Sequence, residues 1–277
     1  MTNLCHRTIR APLAVALVAL AGLVSSLAGA APAAAQDMLD MVDLTSEAYT
    51  KAEMSRADIE AKLKGLKDGE TLDLSDRSLN GLDLSGMDLR RVNLKLARMI
   101  GVKLAGANLA GVVLDQAWAL KSDLTGANLA GANLFGTQLI GSKLDGADLS
   151  KARLIGDYSK CSMKGANLAG ANLAAEEANQ SMGLIRTSLK SSNLEGASLA
   201  GTNLARALLE YAQFTNADMK GASLAGSEAA GADFTGADVT GADFTDADLN
   251  SARIGAMKNA SGAKNLDKAK NVEKAFR

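Results

Sequence analysis

The sequence returns to one five-residue phrase, Ala-(Asn/Asp)-Leu-x-Gly, from about residue 74 to about residue 254, with two slips of phase. It stands unbroken at Ala107, Asn108, Leu109, Ala110 and Gly111, and twice in succession over 127–136. A short fixed period constrains a fold strongly, because every repeat must meet the next in the same way. Five fits neither the 3.6-residue turn of an α-helix nor the two-residue alternation of a strand. It fits a chain that turns a corner every five residues.

Let i be the central apolar residue. It runs from Leu74 through Leu154, with Met99 and Ala119 among the leucines. The phase then loses one residue and continues at Tyr158, Met163, Leu168 and Leu173. It gains one around Ala178 and resumes at Leu184, reaching Ile254 through Phe214, Phe234, Val239 and Phe244. Position i−2 is small, as at Ala97, Ala107 and Ala127, and i+2 takes most of the 27 glycines. One large and one small inward residue per repeat fill a narrow interior. Glycine supplies the positive φ of a tight turn, and Asn or Asp at i−1 tolerates turns through local hydrogen bonds.

These phrases resemble the pentapeptide repeat family, over roughly 180 residues and about 36 repeats. The resemblance implies an all-β fold: a right-handed quadrilateral parallel β-helix. Four corners make a square coil of about twenty residues, and about nine coils stacked ~4.8 Å apart give a column ~43 Å long. The chain divides into 1–35, 36–70 with a capping helix, 71–256 as the β-helix, and 257–277. A lone coil cannot offset its ordering entropy, so stability comes from stacked neighbours and covered ends. Ser55 and Asp58 make a capping box before Ile59, Leu63 and Leu66 at helical spacing, which predicts a helix over 56–64 lidding the first coil. A further helical turn is expected over 46–51. At the far end, 258–277 is expected to lose the period. Leu266, Val272 and Phe276 suggest a cap, and Lys258, Lys264, Lys268, Lys270, Lys274 and Arg277 suggest a basic docking tail as the alternative.

Residues 1–35 read as an export signal. Arg7 and Arg10 give a positive start, 11–28 are apolar and uncharged, and Ala33, Ala34 and Ala35 suit cleavage before Gln36. A retained anchor, at the lower edge of spanning length, is the competing reading. The expected location is therefore periplasmic or secreted, with no stable membrane span after cleavage. Residues 1–35 hold no twin-Arg pair, and Cys5 precedes the apolar stretch rather than marking a lipid-attachment site. Cleavage removes Cys5 and His6, the only histidine, and leaves Cys161 as the single thiol. Ser-His-Asp and Cys-His catalysis are thereby excluded, as are His- or Cys-rich zinc sites and an intramolecular disulfide. Carboxylate chemistry stays open, and no cofactor or metal is expected. Net charge is −1; losing two of the 30 basic residues and none of the 31 acidic ones makes it −3. Neither value is a footprint for nucleic acid, so no nucleic-acid partner is expected.

With twenty residues per coil, residues twenty apart stack on one face. If Leu74 lies on face one and Leu79 on face two, position i+1 of face two reads Asn80, Ile100, Leu120, Ile140, with Trp118 outward at i−1. Both slips, near Tyr158 and Ala178, fall on or beside that face, and Phe135 and Ile155 lie around the adjacent corner. Clustered outward apolar residues mark interaction sites, and Trp is enriched in hot spots. The candidate interaction residues are Ile100, Trp118, Leu120, Ile140, Phe135, Ile155 and Tyr158, for an unknown protein partner or a homodimer. The alternative is that the two loops fold back over this ladder.

Other features read as structure. Cys161, at i−2, is expected to be buried and inert. Asp233, Asp238, Asp243 and Asp248 fall on four successive faces and cannot converge on one ion. Phe214 and Phe234 are expected to stack inside face one. Glu176 and Glu177 are expected to be solvated, and Asp40 and Asp43 carry no catalytic signal. The favoured function is a non-enzymatic exported scaffold mediating protein–protein or envelope interactions through one face. Some members of the resembled family imitate duplex DNA and protect topoisomerases, which needs a cytoplasmic location and strongly acidic faces. Face four here reads Asp88, Asn108, Asn128, Asp148, Asn167, and face three alternates Lys103, Asp123, Lys143. A carboxylate-dependent hydrolase, the remaining alternative, needs a cleft that a filled column lacks.

Overall fold

The structure is a computed structural model that describes residues 43–175 and 185–277. The short strands β1 (Leu72–Asp73) and β2 (Val92–Asn93) pair in parallel, Leu72 opposite Val92 and Asp73 opposite Asn93. The pairing continues as isolated parallel bridges down four ladders. These begin at Asp73, Ser78, Asp83 and Asp88 and extend as far as the pair Arg253 and Phe276. The chain is thus an all-β solenoid with four walls, numbered here by those ladders. The five-residue period keeps its strands short, because a corner intervenes before a longer ladder can form.

Backbone groups are satisfied between coils, as a buried chain requires. Leu79 N–H donates to the Arg98 carbonyl at 2.7 Å and Gly81 N–H to the Ile100 carbonyl at 2.9 Å. The regular corners are β-turns closed by an i to i+3 hydrogen bond, as where Leu82 N–H donates to the Leu79 carbonyl at 3.2 Å. The third residue of that turn needs positive φ. Gly81 supplies it at 69°, but Leu96 at 61°, Lys121 at 55° and Tyr211 at 60° are forced into the same region. Each such non-glycine residue costs about 1–2 kcal/mol, which the ladders on both sides hold in place.

The interior is a continuous column of Leu and Ala, buried throughout. Phe214 and Phe234 stack inside it with ring centroids 5.2 Å apart and planes 7° apart, and Phe234 meets Phe244 edge-on at 6.0 Å. Their wall differs from the sequence expectation. Gln213 and Asp233 continue the ladder of Asp83, Lys103, Asp123, Lys143, Ser162 and Asn193, so the pair lines wall three, not wall one. The cause is the second slip. Asp157 pairs with Ser188, and Asn172 with Asn203, so Asn172 lies on wall one and Ser188 on wall two, one wall further on rather than three. Between them, 176–184, including Glu176, Glu177 and Ala178, lie outside the described residues, as do the export-signal residues and Asp40. At the first slip, Gln138 pairs with Asp157, and Leu154 to Tyr158 makes a side one residue short.

Helix α1 (Glu47–Thr50) leads to helix α2 (Arg56–Lys64), whose capping box joins the Ser55 side chain to the Asp58 N–H and the Asp58 carboxylate to the Ser55 N–H. Ile59 is fully buried against the column, and the Arg56 guanidinium donates to the carbonyls of Asp83 and Ser85. Between the helices, Glu53 N–H donates to the Ser78 carbonyl at 2.8 Å, and the Ser78 hydroxyl to the Lys51 carbonyl at 2.6 Å. The segment therefore lies along the start of wall two.

The C-terminal end corrects the expectation of a lost period. Residues 258–276 lengthen the period to six and complete a last coil. Lys258, Lys264, Lys270 and Phe276 bridge to Asp238, Asp243, Asp248 and Arg253. Asn259, Asn265 and Asn271 each take the left-handed conformation, at φ 56°, 54° and 55°, and each opens a 3-10 turn: Ala260–Gly262, Leu266–Lys268 and Val272–Lys274. Asn tolerates that conformation better than other non-glycine residues. Leu266 and Val272 pack against the core, and Ala269 is buried. This segment is a coil of the solenoid, not a free tail.

Candidate functional site

Wall two does not present an exposed apolar patch. Gly81, Gly101 and Lys121 donate to the carbonyls of Ile100, Leu120 and Ile140, which places these i+1 residues one above another at a single corner. With coils about 4.8 Å apart, each side chain shields the next. Ile100 is 8% exposed and Leu120 2%, and Ile140 is half-buried. Asn80 closes the column: its Oδ1 accepts from Ile100 N–H at 2.8 Å, and its Nδ2 donates to Ser78 Oγ at 3.0 Å. Ile155 is buried as well. Tyr158 is a core residue, fully buried, with its hydroxyl donating to the Leu134 carbonyl at 3.2 Å; burial pushes the phenol well above its ordinary pKa. Trp118 and Phe135 keep a partly exposed edge, and the Arg153 guanidinium lies 4.3 Å above the Phe135 ring, a cation–π contact.

Small polar residues at i−2 are structural. Ser122 Oγ donates to the Met99 carbonyl at 2.8 Å, Thr137 Oγ1 to Leu114 at 2.7 Å and Ser142 Oγ to Ala119 at 2.9 Å. Cys161 does the same, its Sγ 2.9 Å from the Leu139 carbonyl. Burial pushes its thiol up to about 12, so it stays protonated and is no nucleophile.

The sequence reading treated the aspartate ring and the basic C-terminal residues as separate features, and the structure joins them. Asp238, Asp243 and Asp248 sit one coil above Lys258, Lys264 and Lys270, and Asp233 lies above Arg253, with which it pairs at 3.2 Å. Asn259 donates to Asp238 at 3.0 Å, Asn265 to Thr245 at 2.8 Å and Asn271 to Asp248 at 2.8 Å. Hydrogen bonds from Thr240, then Asn259, hold the Asp238 carboxyl below its ordinary range; Thr245, and behind it the charge of Lys264, do so for Asp243. The signal that could have revealed this coil is Lys-Asn-x-x-x-Ala, at 258, 264 and 270.

Chemically, Asp233, Asp238 and Asp243, all held below the ordinary carboxyl range, are the reverse of a general acid, which needs a raised pKa. The four carboxylates lie on four different walls, and among the described residues no cluster of His, Cys, Asp or Glu is placed to hold a metal. The surface recesses are shallow and open; in one, Glu228 is held by Arg186 at 2.5 Å. No helix among the described residues is long and apolar enough to cross a membrane.

The sequence matches the family model for pentapeptide repeats in 8 copies, over residues 74–116, 96–129, 122–156, 187–226 and 212–251. No curated protein matches it. Among solved structures it is similar to HetL, a pentapeptide repeat protein involved in heterocyst differentiation regulation from the cyanobacterium Nostoc sp. strain PCC 7120. That likeness has 25% identity, 81% of this chain and 95% of that chain covered, and a TM-score of 0.36. It is also similar to full-length QnrB1, a plasmid-mediated fluoroquinolone resistance protein, with 18% identity, 73% and 91% covered, and a TM-score of 0.53. The QnrB1 likeness bears on the fold alone and agrees with the solenoid described above.

Proposed function

The chain belongs to the pentapeptide repeat family, and from that premise we propose that it is a non-enzymatic scaffold, exported from the cytoplasm, that holds a protein partner or an envelope component against one wall of its β-helix. The observation that carries this reading is the filled interior. Among the described residues, Leu, Ala and Phe fill the axis from Leu74 to Ile254, and the chemistry on offer there is that of the outer walls. Wall two supplies the contact. Trp118 and Ile140 keep accessible edges there, and Phe135 keeps one at the adjacent corner, beside the buried Ile100, Leu120, Ile155 and Tyr158. Pre-ordered aromatic edges bind at low entropic cost. Export rests on the pattern of residues 1–35.

A DNA-like surface would need an unbroken acidic wall. Wall four reads Asp88, Asn108, Asn128, Asp148, Asn167, Ser198, Asp218, Asp238 and then Lys258, which interrupts the charge at most coils.

The test pairs Trp118→Ser with Ile140→Ser. Light scattering on the purified protein reads self-association, and site-specific crosslinking at wall two in the exporting cell reads the partner. Loss of the assembly or crosslink in the variant, with circular dichroism unchanged, supports the reading. Unchanged mass and crosslinking would sink it, and recovery of the protein solely from the cytoplasm would remove the export half.

A further inference from the structure

The last coil covers the column with its own chain and leaves its outer side to solvent. Its charge is concentrated. Residues 258–277 hold six basic side chains and two acidic ones, Asp267 and Glu273, while the rest of the chain holds 24 basic and 29 acidic. The molecule is therefore electrostatically polar along its axis, with its positive pole at the C-terminal end.

The positive groups surround that end. Lys258, Lys264 and Lys270 stand on three walls and Arg277 follows Phe276 on the fourth, with Lys268 and Lys274 in the 3-10 corners. All six are exposed. Phe276, at the same level, is 62% exposed, and Leu266 and Val272 are only partly buried.

The positive layer is one coil deep. Directly above Lys258, Lys264 and Lys270 lie Asp238, Asp243 and Asp248. A polyanion lying along any of these walls would meet carboxylates within about 5 Å of the lysines. An anionic partner fits only end-on, as a plane. A second copy does not fit, because meeting end to end would set one lysine ring on another. A plane of mobile anions over an apolar interior matches a perimeter of long-stemmed lysines around partly exposed apolar side chains.

We propose that the last coil is a docking plate for an anionic lipid surface, on which the solenoid stands end-on. This plate is distinct from the wall-two contact, and neither depends on the other.

The test uses the full-length protein with sedimented vesicles of phosphatidylcholine alone, or with roughly a third phosphatidylglycerol. Binding should favour the anionic vesicles and weaken as salt is added. Lys268→Glu with Lys274→Glu, in the corners away from the aspartate ladder, should lower anionic-vesicle binding about tenfold or more. Phe276→Ser should lower it severalfold. Lys62→Glu with Lys64→Glu, on α2, should leave it unchanged, which separates the plate from any contribution of residues 1–35 shared by all variants. Circular dichroism confirms folding of each. Equal losses in both lysine pairs, or no preference for anionic vesicles, would overturn the proposal. So would retention by immobilised polyglutamate without vesicle binding, which would assign the plate to an acidic protein.

Discussion

The coils between Leu74 and Leu154 and the last coil, 258–276, solve the same problem with different corners. In the first, a side has five residues and the corner turns on one residue with positive φ, as at Gly81, Gly86 and Gly101. In the second, a side has six residues and the corner opens on Asn259, Asn265 or Asn271 before a 3-10 turn. The ladder accepts both, so what the stack requires is one bridging residue per side, and a left-handed residue serves at most of the described corners rather than at every one. The vertical neighbours differ more. Asn108 stacks on Asn128, a pairing that suits many coils equally. Asp243 stacks on Lys264, a pairing that names its neighbour. Interior coils are held by burial from both sides, and the last coil, buried from one side only, is tied down as well by the side-chain hydrogen bonds of Asn259, Asn265 and Asn271.

The sharpest way to break that contrast is to remove burial in each region. Phe234→Ala, at a fully buried ring stacked on Phe214, should cost about 3–5 kcal/mol in denaturant unfolding. Val272→Ala, partly exposed in the last coil, should cost less than about 1 kcal/mol. Equal costs would mean that the last coil is packed like the interior. A smaller effect separates the regular corners from the first slip. A Cβ on Gly156 would meet the Thr137 carbonyl oxygen at 2.2 Å, whereas one on Gly126 finds nothing within 4 Å. Gly156→Ala should therefore cost about 1–3 kcal/mol or more by overpacking, and Gly126→Ala about 1–2 kcal/mol through its φ of +65° alone. A larger loss at Gly126 would show that corner strain outweighs coil contact.

The smallest effect is an acid-induced opening. Asp238 and Asp243 have folded pKa values below the ordinary 3.8. Their contribution is present above 3.8 and is lost as pH falls through the lowered folded values. Asp83 and Asp123 are lowered too, through Ser85 and Thr125, but their coils have neighbours on both sides. Hydrogen exchange should show amides of 258–276 accelerating below about pH 4 while wall amides stay protected. Asp238→Asn with Asp243→Asn should weaken the last coil at neutral pH and remove the acid step. Simultaneous loss of protection everywhere would merge the two regions into one cooperative unit.

The period, the large and small inward pair and the left-handed corner are legible in the sequence because each is a local demand repeated many times. The wall assignment after the second slip is not. The pattern resumes after a one-residue gain, so Leu173 and Leu189 are both recognisable as central residues. It does not report how many corners were turned, and Phe214 was assigned two walls away from its place. The last coil was hidden for a related reason. Lys258, Lys264 and Lys270 are periodic, but at six, and a five-residue frame reads them as the end of order. The burial of Ile100 and Leu120 was hidden for a different reason: position i+1 points outward, but a column of like side chains at coil spacing shields its own members, and Ile140 is left half-buried.

The lengthened last coil also acts as a ruler. Bridge partners are twenty residues apart at Asp233 and Arg253, and the spacing reaches 21 at Asp243, 22 at Asp248 and 23 at Arg253. Each side adds a residue, so the outermost edge has a longer perimeter than a pentapeptide coil. An open β-sheet edge invites endless addition of further strands. Here the 3-10 corners and the exposed lysines make that edge irregular and charged, a poorer template for an added strand than a flat pentapeptide rim.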